Sequence, residues 1–110
     1  MSFSESLAGR IRQRLARRKN VEEKKMFGGV GFLLDGNLLV SVRKDSLLVR
    51  LGPEQSDEAL QEAHVSEFKI TGRGMMKGWV VVALEGVEND DQLSGWIQRA
   101  LKFAGSLPAK

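Results

Sequence analysis

The stretch VGFLLDGNLLVSVRKDSLLVRL, residues 30–51, decides the fold. Three runs rich in Val, Leu and Phe are interrupted by Asp35-Gly36-Asn37 and by Arg43-Lys44-Asp45-Ser46. Asp-Gly between β-favouring runs is a strong hairpin signal, because both central residues tolerate positive φ. Alternation puts Val30, Phe32 and Leu34 on one face of the first strand. It does the same for Leu38, Val40 and Val42 in the second and for Leu47, Val49 and Leu51 in the third. The opposite side would carry Leu33, Leu39 and Leu48.

Immediately upstream, EEKKMFGG (residues 22–29) sets Gly28 and Gly29, with Gly31 close behind, after a charged run. Phosphate-cradling glycine loops run from a strand into a helix N-terminus, whose amides face the anion. Here a helix precedes the glycines and a hairpin strand follows, and the spacing is neither G-x-G-x-x-G nor G-x-x-x-x-G-K-[ST]. The expected role is geometric: a tight helix-to-strand turn and close backbone packing.

Further out, Ser2 to Glu5 has the form of a capping box, and Leu7, Ile11 and Leu15 recur every four residues. An amphipathic helix is expected, ending near Lys19 or Asn20. Beyond Leu51, Gly52-Pro53 opens a short acidic helix whose inner side is Ala59, Leu60 and Ala63. EFKI (67–70) reads as a fourth strand, TGRGMMKG (71–78) as a loop, and WVVVAL (79–84) as a fifth strand. Asn89-Asp90-Asp91-Gln92 forms a second capping box ahead of Leu93, Trp96, Ile97, Ala100, Leu101 and Ala104 at helical spacing. The order α-βββ-α-ββ-α predicts an α+β domain of two layers: a mainly antiparallel five-stranded sheet with helices on one face.

With 110 residues, one domain is expected. Hydrophobic residues make up 42% and charged residues 28%, the balance of a folded chain rather than a disordered one. The absence of cysteine excludes disulfides and thiolate chemistry and favours a cytoplasmic location. No apolar run approaches the ~20 residues of a membrane span. Net charge is +3, unevenly placed. Residues 1–25 hold eight Lys/Arg against three Glu, a net of +5; the remainder holds nine against eleven acids, a net of −2.

KKMFGGVGFLLDGNLL (24–39), GRGMMKGWVVV (72–82) and WIQRALKFAGSLP (96–108) together resemble the TfoX N-terminal domain family. Its members are bacterial domains found in a regulator of competence gene expression and in short stand-alone proteins. The resemblance runs from about residue 10 to the end. It marks Met26, Phe27, Gly28, Gly29 and Gly78 as structural motif positions and implies a two-layer α/β domain in a regulatory setting. It offers no established catalytic residue to carry over. The regulator has a second, C-terminal domain, none of which is expected within these 110 residues, and the GRGMMKGW loop is one residue longer than the commoner spacing.

Catalytic chemistry is thinly supplied, so no enzyme, metal site or cofactor is expected. A hydrolytic triad would have to use the single histidine, His64, expected instead at the negative end of the short helix. Asp90 and Asp91 are helix-start residues, and Glu54, Asp57, Glu58 and Glu62 form a solvated flank. The expected function is binding of a macromolecule: a protein partner first, nucleic acid as the alternative. Arg10, Arg14 and Arg17 form a row on the first helix, with Arg73 and Lys77 as further cations. Met75, Met76 and Trp79 offer an adaptable apolar surface or, alternatively, close the core. The leucines left on the second sheet face call for a cover: the short helix, a loop, or a second copy in a homodimer.

Overall fold

The computed structural model describes residues 5–26, 29–44, 46–70 and 74–108; at Met26, Ile70, Met75, Met76 and Lys77 it describes the backbone alone. In chain order the elements are helix α1 (Glu5–Leu15), strands β1 (Val21–Met26), β2 (Gly29–Leu34), β3 (Asn37–Val42) and β4 (Ser46–Arg50), and helix α2 (Pro53–Ala59). Strands β5 (Val65–Ile70) and β6 (Gly74–Ala83), a 3-10 turn (Leu84–Val87) and helix α3 (Asp90–Gly105) complete the chain. The sheet is antiparallel throughout, in the order β1-β2-β3-β4-β6-β5.

The sheet has six strands rather than the expected five, because VEEKKM (21–26) pairs with β2 from Val21↔Leu34 to Met26↔Gly29. Its four consecutive charges conceal it from any search for apolar alternation. They also suit an edge strand, where charge discourages pairing with other chains. β6 likewise begins at Gly74, so Met75, Met76 and Lys77 belong to a strand paired with β5 rather than to a loop. Helix α1 stops at Leu15, short of the expected end, and its last turn closes through Arg18 N–H to Leu15 O at 3.0 Å. Ser2 lies outside the described residues.

One sheet face and all three helices share a single core. Leu7, Ile11 and Leu15 of α1, Ala59 of α2, and Leu93, Trp96, Ile97, Ala100, Leu101 and Ala104 of α3 pack on it. Val30, Phe32, Val40, Val42, Leu47, Val49, Val80 and Val82 supply the sheet side. The expected two layers are therefore present. One inward assignment changes. A bulge pairs Phe32 with Val40 but Leu33 with Leu38, so Leu38 turns to the second face. Leu39 joins Val40 in the core instead.

The second face is not a bare patch. Leu48 is 1% exposed, and Leu33 and Leu38 are each 9% exposed within the single chain. The leucines that suggested a second copy as cover are thus buried without one.

Three local features match the sequence closely. Asp35 and Gly36 take φ of 51° and 84° at the β2–β3 turn. Asn89 Oδ1 accepts from Gln92 N–H at 2.8 Å while Gln92 Oε1 accepts from Asn89 N–H at 3.1 Å, a complete capping box. At Gly29 a Cβ would overlap the carbonyl oxygen of Val42, so only glycine admits this approach of β2 to β3; the expected helix before the glycines is instead strand β1, paired with β2. Phe27 and Gly28 lie outside the described residues.

Candidate functional site

The arginine row of α1 is divided by the fold. Arg10 donates to Val87 O at 2.9 Å and to Glu88 O at 3.1 Å, and with Arg14 it reaches Asp90 Oδ1, at 3.4 and 3.1 Å. These bonds fasten α1 to the 3-10 turn and to the start of α3. The hydrogen bonds from Arg14 and then Arg10 hold the Asp90 carboxyl below the usual aspartate range. Arg12, on the far side of the helix, makes a two-pronged pair with Glu23 of β1 at 2.8 Å for each contact. That pair likewise lowers the Glu23 carboxyl. Arg17 stays exposed, with no hydrogen bond or ion pair among the described residues.

Trp79 has a different setting. It lies directly opposite Arg50 in the β4–β6 pairing, and the Arg50 guanidinium carbon is 5.3 Å from its ring centre. The same guanidinium lies 5.4 Å from the ring of Phe103 on α3. Phe68 of β5 approaches Trp79 with ring centres 6.3 Å apart, tilted by 50°, and Arg43 stands 5.6 Å over the Phe68 ring. All five side chains are half-buried. The result is an interleaved series: Arg43, Phe68, Trp79, Arg50, Phe103.

The backbone holds Trp79 in place from below. Gly78 takes φ of 95°, where a side chain is strained, and its carbonyl accepts from Leu51 N–H at 2.8 Å and Gly52 N–H at 3.1 Å. Its own N–H donates to Ser56 Oγ at 3.2 Å, and that hydroxyl donates to Pro53 O at 3.0 Å. The Gly-Trp pair is therefore a clamp between the end of β4, the start of α2 and β6.

Neither the Arg43 nor the Arg50 guanidinium has a carboxylate or any hydrogen-bond acceptor among the described residues. Ring faces support the guanidinium planes, and no described residue engages their N–H edges. Of the residues singled out from sequence, the structure brings Trp79 into this series. Arg73 lies outside the described residues, as do the side chains of Met75, Met76 and Lys77. Arg43, Arg50, Phe68 and Phe103 were missed. Their signal is absent from any one segment, because they come from the β3–β4 connection, β4, β5 and α3, which only the fold brings together.

His64 stands elsewhere. Helix α2 ends at Ala59, so His64 does not cap it. It takes φ of 68° at the entry to β5, and its carbonyl accepts from Ala83 N–H at 2.9 Å. Its exposed ring lines an open groove of about 570 Å³ with Asp91, Trp96 and Arg99. Arg99 in that groove is already held by Glu62 at 2.8 Å and lies over Trp96 at 4.5 Å. Among the described residues no helix is long and apolar enough to cross a membrane.

The model of the TfoX N-terminal domain family matches residues 13–104. No curated protein matches the chain significantly.

Proposed function

We propose that this chain, which belongs to the TfoX N-terminal domain family, is a regulatory domain that acts by binding another macromolecule rather than by catalysis. The family setting supports a role in the control of gene expression, in the cytoplasm. The observation that carries the binding reading is the Arg43-Phe68-Trp79-Arg50-Phe103 series. Arginine and aromatic side chains dominate the energetics of recognition surfaces, because each joins a large contact area to directed polar groups. The Arg50 and Arg43 donors lack internal acceptors among the described residues, whereas those of Arg10 and Arg14 are engaged within the fold.

A chromosomal replacement tests this. In the source organism, an Arg43→Gln/Arg50→Gln double variant should reproduce the transcript changes caused by deleting the gene, at normal protein level. A wild-type transcript profile from that variant, beside an altered one from the deletion, removes this face. A deletion that changes no transcript removes the regulatory reading.

A further inference from the structure

We infer that the arginine–aromatic face takes single-stranded nucleic acid, an inference that rests on the binding role proposed above. The side chains on that face have a particular order. Register places Leu48 opposite Val81, Val81 opposite Ser66, and Arg50 opposite Trp79, so these project from one side of the sheet. Two rings lie side by side, with a guanidinium over each: Arg43 on Phe68 and Arg50 on Trp79. Arg50 is held between two rings, Trp79 and Phe103, which orients its N–H donors without consuming them. The neighbouring acid, Glu67, pairs opposite Val80, whose side chain is in the helix-side core, so alternation turns Glu67 to the other face.

A chain of planar bases joined by phosphates matches a run of rings flanked by guanidinium forks. Bases stack on aromatic side chains with little regard to sequence, and arginine forks donate two-pronged to phosphate oxygens. Paired strands hide their base faces inside the duplex, so they could use the cations but not the rings. An acidic peptide meets the same limitation. The sequence points to the row Arg10, Arg14 and Arg17 for nucleic acid; the interleaving of cations with rings exists instead on the sheet.

The experiment uses the full 110-residue chain and a fluorescein-labelled oligothymidine of about 16 nucleotides, the upper site size of one compact single-strand-binding fold. Anisotropy titration should show binding that weakens steeply with salt. Trp79→Leu should weaken it roughly 5- to 100-fold, as loss of one base stack does. Arg50→Gln and Arg43→Gln should each weaken it about 10-fold and flatten the salt slope. Arg17→Gln, on the helix layer, should change it little. A duplex of equal length should bind at least ~10-fold more weakly. Tryptophan fluorescence gives a second readout, because Trp79 should be quenched on titration and the buried Trp96 should not. Circular dichroism confirms that each variant is folded, and the Trp79 quench in wild-type protein decides the matter should Trp79→Leu not fold.

No binding, or equal affinity for duplex, overturns the inference. Equal displacement of the oligonucleotide by polyglutamate also overturns it, in favour of an acidic protein partner. In that last case the binding face stands and the ligand class falls; the transcript experiment separately decides the regulatory role.

Discussion

Arg10 and Arg14 on α1 and Arg43 and Arg50 on the sheet are chemically the same side chain in two opposite situations. The first pair reaches two backbone carbonyls and a carboxylate within 3.4 Å and closes the joint between α1 and α3. The second pair rests on rings and meets no acceptor among the described residues. A count of basic residues favours the helix, where the net charge of the first 25 residues is +5. Among the described residues a census of unengaged donors favours the sheet as the proposed contact surface, since a ligand can take up only the hydrogen-bonding capacity that the fold has not used.

The contrast is broken most directly by exchanging the two pairs as targets. Arg43→Gln/Arg50→Gln should abolish most ligand binding, by about 100-fold if each fork contributes one charge-assisted contact. It should leave the melting temperature within a few degrees of wild type, since two exposed-edge guanidiniums contribute little to the core. Titration and a thermal melt on the same sample check both halves. A large loss of stability would mean that these arginines are structural, like their counterparts on α1.

Gly78→Ala should come next. The substitution forces φ near 95° on a residue with a Cβ, at a cost of roughly 1–3 kcal/mol. Because Gly78 accepts from Leu51 and Gly52, relaxation there displaces Trp79 from Arg50, so binding and stability should fall together. Denaturant unfolding paired with titration tests the coupling. Loss of stability with unchanged affinity would show that the clamp does not position the ring.

Arg10→Met should do the reverse of the sheet double variant. Removing the donor leaves Val87 O and Glu88 O short of partners, which costs about 1–2 kcal/mol and lowers Tm by roughly 5–15 °C. Affinity at the sheet face should be unchanged. Weakened binding in a folded Arg10→Met protein would restore the helix as a contact surface.

Local signals were legible and remote ones were not. The Asp35-Gly36 turn, the Asn89–Gln92 capping box and the core stripe of α3 could be read from residue types because each is settled within a few positions. β1 was invisible because its strand character comes from pairing with β2, not from its own charged sequence. The bulge that sends Leu39 inward is a property of the β2–β3 ladder and breaks simple alternation. The candidate site is the least legible part. Arg50 and Trp79 are neighbours because β6 crosses over to lie between β4 and β5, and nothing local to either residue announces that. Trp79 alone was visible as a candidate, through its place after Met75, Met76 and Gly78.

The smallest expected effect sharpens the structural side of the comparison. Asp90 is the carboxylate shared by Arg14 and Arg10, and those bonds hold its pKa below the ordinary aspartate value of about 3.9. A depressed folded-state value means that the fold favours the ionised form. The contribution is therefore complete well above the ordinary value and is lost as pH falls through it toward the lower, folded one. Asp90→Asn keeps the shape and removes the charge, so wild type should melt slightly above the variant at pH 7. That gap should shrink below about pH 4 and close near the bottom of the transition. It should also narrow in high salt, because the carboxylate is 75% exposed and the pair is well screened. Glu23, lowered by Arg12, titrates in the same region but is common to both proteins and cancels in the difference. A gap that stays constant from pH 7 to about pH 2 would separate Asp90 from the arginines and leave Arg14 as free as Arg43 and Arg50, erasing half of the contrast between the two pairs.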